Sequence, residues 1–362
     1  MRAVGVLPQQ RRVAVVSHPE PCNLAPHEVK LRILEVGVCG TDKDIVAFRH
    51  GTAPEGSDYL VLGHESLAEV AEIGSAVEGL CAGDLVVGMV RLPCPHSHCV
   101  PCRSGRQDFC VTGDYRERGI KDLHGFMTEF VVEQEQYLHR LPPELRDIGV
   151  LVEPLTIAEK AFRQAVQAQQ RAPWSDGPKT AVVLGAGPVG LLGAMLLVKQ
   201  GFRTWVYSQT PEPNASATIC TRIGARYVSS EIVAPRALAA MTGSIDLVYE
   251  ALGAAQLAFD VLPLLGANGI YVFTGIPRRG ENVTLALPEL MANLILKNQA
   301  ILGTVNAGRD AFAAAAGDLA DFRIRWPEAV RALITARYPL EEFLEPITGL
   351  AAGIKNVISI AH

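Results

Sequence analysis

Cys94, Cys99, Cys102 and Cys110 follow one another in the pattern C-x4-C-x2-C-x7-C. Four thiolates in one short excursion close a tetrahedral shell around zinc, and the metal then braces a lobe with little apolar core of its own. Left unligated, four neighbouring thiols invite oxidation, so the cluster points to a metal in a reducing compartment. His96 and His98 lie within the longer first gap, which leaves a shell of three cysteines and one histidine as the alternative. Cys22, Cys81 and Cys220 read as small buried apolar residues.

A second set of metal-capable side chains is dispersed along the chain. Cys39 stands in GVCGTD, His64 and Glu65 in GHE, and Glu153 in LVEP. A thiolate, an imidazole and two carboxylates are enough for the three protein ligands and one open place that catalytic zinc needs. Spacing alone does not join them, because each also reads singly as a buried cysteine, a hydrogen-bonded histidine or a surface glutamate.

Gly185, Gly187 and Gly190 form G-A-G-P-V-G directly after the apolar run TAVVL and directly before a helical pattern. In that context the first glycine makes a tight turn, the second lets the backbone approach a pyrophosphate, and the third allows close helix packing. The positive end of the helix then faces the phosphates. The next strand ends at Ser208-Gln209-Thr210, where a carboxylate would select NAD and an arginine NADP. Neither is present, so Ser208 faces the ribose, Glu212 reads as a solvated loop residue, and the missing acid tilts the expectation toward NADP or dual use.

These groups need a scaffold. Up to about residue 150 the chain consists of short Val-, Ile- and Leu-rich runs bounded by turn residues, such as VKLRILEVGV, HESLAEVAEIG and HGFMTEFVVE. The segment PLTIAEKAFRQAVQAQQ then takes helical spacing and stops near Pro173. Beyond it six short apolar runs, from TAVVLGAG to AILGTVNAG, alternate with amphipathic segments, as a parallel sheet covered on both faces requires. The expected fold class is α/β, with a β-rich metal-binding domain over 1–175, a doubly wound Rossmann domain over 176–308, and a return of about 309–362 to the first domain.

With 362 residues, 49% hydrophobic content and 20% charge, the chain can bury two cores. A net charge of −5 without a basic stripe argues against nucleic acid as a partner. The N-terminal residues alternate like a strand and carry Arg11 and Arg12, and no run reaches the roughly 18 apolar residues of a membrane span. A cytoplasmic location without membrane contact follows.

The order of GVCGTD, GHE, GDLVVG, the cysteine lobe and GAGPVG resembles the zinc-dependent medium-chain alcohol dehydrogenases over essentially the whole chain, with a GroES-like domain as the metal-binding part. Within that superfamily, CGTDKDI, VRLPCPHSHC, GRQDFC, ERGIK and LVEPL resemble the glucose 1-dehydrogenase branch. The resemblance implies that Cys39, His64 and Glu153 surround catalytic zinc, with Glu65 as an alternating or supporting carboxylate. It also implies that Thr41 handles the proton of the substrate hydroxyl while Asp42 steadies the ligand loop. Asp44 replaces the histidine that ends the proton relay in many members. Gly40 replaces an arginine that some place on the pyrophosphate, a charge that Lys355 can take over. Asn306 matches a position at the nicotinamide end, and Glu117 a carboxylate that binds sugar hydroxyls. The implied reaction moves a hydride from the anomeric hydroxyl of glucose or galactose to NAD(P), giving the lactone. Another polyol or an amino-acid alcohol is the alternative substrate, and a non-catalytic zinc-ribbon interaction protein the alternative class. Members commonly form dimers or tetramers, with the LALPELMANLILKN segment as a contact by that analogy.

Overall fold

The computed structural model describes residues 1–361 except 173, 175, 176 and 278–281. The domain boundary expected near residue 175 therefore lies outside the described residues. The chain separates into two compact units, one of Met1–Thr156 with Asn306–His362 and one of Ile157–Val305, so the division falls within the helix Val152–Gln169.

The first unit is built on a seven-stranded sheet. Its strands lie in the order Leu138–Leu141, Leu85–Gly88, Glu65–Ile73, Glu28–Gly37, Lys355–Ser359 and Ile334–Pro339, with Phe130–Gln134 also pairing Glu28–Gly37. The C-terminal strand Lys355–Ser359 runs antiparallel to Glu28–Gly37. Val29, Leu31, Ile33 and Val36 of the central strand are fully buried, which fixes its register, since a one-residue slip would turn this apolar set around. The cysteine lobe hangs from a small three-stranded sheet of Arg91–Leu92, Arg116–Arg118 and Asp122–Leu123.

The second unit carries a six-stranded sheet in the order Arg226–Ser229, Arg203–Ser208, Thr180–Leu184, Ile245–Glu250, Leu265–Phe273, Ala300–Gly303, with every pairing parallel. Thr180–Leu184 is buried at every position, as expected of a strand covered on both faces. Strand order reverses between Thr180–Leu184 and Ile245–Glu250, which makes their carboxyl ends the topological switch point of a doubly wound fold. Among the described residues no helix is long and apolar enough to cross a membrane. All eight cysteines are unpaired; Cys220 is buried, but Cys22 and Cys81 are exposed, contrary to the reading of both as core residues.

Candidate active site

Gly37 ends the strand Glu28–Gly37 in register with Glu65 on one side and Val357 on the other. A Cβ at Gly37 would stand 2.1 Å from Glu65 Oε2, so only glycine leaves the carboxyl its place. Two residues on, Cys39 caps the short helix Gly40–Val46, and its backbone N–H donates to Asp42 Oδ2 at 2.8 Å. Cys39, His64 and Glu65 thereby each bring one ligand-type atom within 4.8 Å of the others.

The donor set fits zinc. Asp42 Oδ1 and His64 Nδ1 lie 3.5 Å apart, both buried and without a hydrogen-bond partner. A ring that gives its other nitrogen to a metal needs this arrangement, since the carboxylate then fixes the tautomer. Burial opposes a charge on His64, but Asp42 and then Cys39 outweigh it and hold the imidazole well above its ordinary pKa. Glu153, in the first turn of Val152–Gln169, lies outside the three-residue cluster yet feels its charges. Desolvation is the largest influence on its carboxyl, His64 opposes it and Glu65 adds to it, and the result is a pKa pushed up to about 7. Thr41 Oγ1 is 3.9 Å from Cys39 Sγ. Asp44 is ion-paired with Arg49 at 3.0 Å, both side chains being exposed.

Lys355 requires a correction. Its ammonium donates to Glu65 Oε1 at 2.8 Å, Glu65 Oε2 at 2.6 Å and Val38 O at 3.0 Å, which uses all three hydrogens, and the residue is 2% exposed. No donor remains for a pyrophosphate; the lysine balances Glu65 instead. Burial works against its charge, but Glu65 and then Cys39 raise its pKa above the ordinary value.

Cys94, Cys99, Cys102 and Cys110 also bring their sulfurs within 4.8 Å of one another. His96 pairs with Asp114 and stands outside this set. Burial pushes the Cys102 thiol up to about 12. Burial acts in the same sense on Cys110, but the Thr112 hydroxyl and amide and the Gly113 amide outweigh it and bring that thiol down to about 6. Four sulfurs in one shell, one of them already favoured as thiolate, match a closed structural zinc site.

Glu117 and Asn306 meet each other rather than standing free. Asn306 Nδ2 donates to Glu117 Oε1 at 2.8 Å, and its Oδ1 accepts from Ala307 N at 2.7 Å. Arg91 donates to the same Glu117 oxygen through Nε and Nη2, each at 2.9 Å, and lies over the Tyr115 ring at 3.6 Å. Three donors thus converge on Glu117 Oε1, and only Oε2 lies outside these bonds. Arg91 is 5% exposed and sits in direct register with Glu117. A charged residue interrupting the apolar run VVGMV-R-L was the available signal.

In the second unit Gly185 turns at φ +102°, and a Cβ on Gly190 would stand 2.1 Å from Gly185 O. Gly187 caps the helix Pro188–Lys199, and nothing lies within 4 Å of where its Cβ would be, so the space above the loop is open to a ligand. These are the requirements of a dinucleotide loop. Ser208 ends its strand half-buried, with its carbonyl accepting from Ser230 N, and Glu212 is exposed.

Two family models match the chain, the alcohol dehydrogenase GroES-like domain over residues 25–143 and the glucose dehydrogenase C-terminus over residues 146–360. The chain is 40% identical to a glucose 1-dehydrogenase of Thermoproteus tenax and 36% identical to one of Methanocella arvoryzae, with 99% of each chain covered. Its fold is similar to that of the Haloferax mediterranei glucose dehydrogenase solved in complex with NADP, Zn and gluconolactone, with a TM-score of 0.89, 31% identity and full coverage of both chains.

Proposed function

The chain belongs to the glucose dehydrogenase family of GroES-like, zinc-dependent dehydrogenases, and from that premise we propose that it oxidises the anomeric hydroxyl of an aldose, glucose or galactose, to the lactone with reduction of NAD(P). The observation that carries the reading is the convergence of Cys39, His64 and Glu65 within a chain similar along its whole length to glucose 1-dehydrogenases.

Bound zinc supplies a Lewis acid for an alcohol oxygen, and bound NAD(P) accepts two electrons and a hydrogen. Cys39, His64 and a carboxylate of Glu65 or Glu153 hold the metal in this proposal, and Asp42 orients both Cys39 and His64. Thr41 accepts a hydrogen bond from the anomeric hydroxyl and passes its proton outward to solvent, while the anomeric carbon gives up its hydrogen with the electron pair to the nicotinamide. Lys355 keeps the second carboxylate neutralised, so that an ion held by the cluster faces one net charge fewer. Glu117 Oε2 accepts from a sugar hydroxyl, and Asn306, through its bond to Glu117, sets where that oxygen points. Gly185, Gly187 and Gly190 seat the pyrophosphate, with Ser208 facing the adenosine ribose. Four unpaired cysteines in one lobe support a reducing, cytoplasmic setting.

A second copy of the chain is the proposed partner. The helix Leu287–Leu296 buries none of its residues, leaving Leu287, Met291, Ile295 and Leu296 exposed, and Ala300–Gly303 is the edge strand of its sheet. Ile295→Glu is expected to shift the mass in solution to that of a monomer. An aldose and polyol panel assayed with NAD+ and with NADP+ tests the activity itself, with glucose or galactose expected to give the fastest reduction. Equal inactivity on every aldose, beside turnover of another polyol, would move the substrate to the alternative class.

A further inference from the structure

At the topological switch point one buried carboxylate gathers the loops that leave the sheet. Glu250, the last residue of Ile245–Glu250, is 1% exposed. Its Oε1 accepts from Leu252 N at 2.8 Å and Gly253 N at 2.6 Å, and its Oε2 from Gly275 N at 3.0 Å. The carbonyl of the same residue accepts from Thr274 N at 3.0 Å and Thr274 Oγ1 at 2.7 Å. Ala251 N donates to Leu184 O, which ties this knot to the strand preceding the glycine loop. The loops are in close contact: a Cβ on Gly275 would meet Gly253 N at 2.2 Å, and one on Gly253, at φ +72°, would meet Ile276 O at 2.7 Å. Among the described residues no lysine or arginine pairs with Glu250, so backbone N–H groups alone answer the carboxylate.

A doubly wound sheet binds its dinucleotide in the crevice at the switch point, one mononucleotide half on each side. The glycine loop and Ser208 belong to the adenosine side. The loops of residues 251–253 and 274–276 then wall the other side. We propose that Glu250 is a positioning residue for the nicotinamide half of the cofactor, holding these two loops in the conformation that half requires. The inference rests on the dinucleotide reading above and deepens it. A glutamine at this position keeps one acceptor but turns an NH2 group toward backbone N–H donors, so one of the two loops is released.

The test is equilibrium binding by calorimetry, with NADP+ as the whole cofactor and adenosine 2′,5′-bisphosphate as its adenosine half, on wild type and Glu250→Gln. Asp246→Asn is the control, because Asp246 Oδ2 makes the same kind of bond, to Thr180 N at 2.7 Å, at the opposite end of the same strand. Glu250→Gln is expected to weaken NADP+ by about tenfold while leaving the bisphosphate within about twofold, and Asp246→Asn to leave both unchanged. If Glu250→Gln does not fold, Thr274→Val, which removes one bond of the same knot, is expected to show the same split at about threefold. Unchanged NADP+ affinity, or equal weakening of both ligands, overturns the proposal. Failure of the wild type to bind NADP+, NAD+ and the bisphosphate alike would instead remove the dinucleotide reading.

Discussion

In the cysteine lobe all four metal-capable atoms come from one stretch, residues 94 to 110, and all are sulfur. The Cys39 centre draws its three from two places, the start of the helix Gly40–Val46 and the start of the strand Glu65–Ile73, mixes sulfur, nitrogen and oxygen, and shares its carboxylate with a buried lysine. The first shell is complete from its own residues and is suited to holding a fold. The second is incomplete by one ligand and is assembled by the surrounding sheet, as a centre that must admit a substrate requires. The sheet thus supplies the geometry of the reactive centre, whereas in the lobe the metal supplies the geometry of the chain.

The contrast breaks most visibly by single substitutions in each cluster. Cys39→Ala is expected to lower aldose turnover by about a thousandfold, equivalent to about 4 kcal/mol of lost transition-state stabilisation, with the melting temperature nearly unchanged. Cys99→Ala should do the reverse, costing about 3 kcal/mol of stability and lowering Tm by about 10 °C, while the fraction that stays folded keeps its turnover. Calorimetric melting alongside steady-state rates measures both. If the two variants behave alike, the division of labour between the clusters is wrong.

Lys355 sharpens the description of the open centre. In zinc-free protein, Lys355→Met leaves the Glu65 carboxylate buried and unpaired and is expected to cost about 3 kcal/mol in urea unfolding, most of it restored by adding Glu65→Gln. A loss of cofactor affinity without a loss of stability would return Lys355 to the pyrophosphate. A smaller effect is expected at Arg91, where lysine cannot offer two donors to Glu117 Oε1. Arg91→Lys should raise KM for the sugar by about tenfold and leave KM for the cofactor alone.

A pH-dependent effect lies outside both clusters. His139, stacked on Phe312, has its pKa lowered to about 4, chiefly by burial and secondarily by Arg309. The unfolded chain therefore binds more protons than the folded one between about pH 6.5 and pH 4, and the contribution of this residue to stability is lost as pH falls through that window. His139→Phe should flatten that part of the stability profile by about 1 kcal/mol for each pH unit, without altering zinc content.

What the sequence disclosed followed the distance over which each feature is built. The cysteine shell, the glycine loop and the alternation of strands with helices are local patterns, and residue types in a short window are enough to read them. The Cys39 centre was joined only by family resemblance, because Gly37 lies between Glu65 and Val357 through strand pairings that no spacing rule contains. The partner of Lys355 is hidden for the same reason: Glu65 is 290 residues away. At Glu117, neither Arg91 opposite it on the neighbouring strand nor Asn306 from the other end of the chain can be placed by residue spacing.

Counting zinc per chain and measuring glucose-dependent reduction of NADP+ on the same preparations of wild type and Cys39→Ala tests whether the Cys39 cluster is the reactive metal centre. Two equivalents with turnover are expected in the wild type, and one equivalent without turnover in the variant. Turnover persisting in a variant that has lost one zinc, or one equivalent in both proteins, would contradict it.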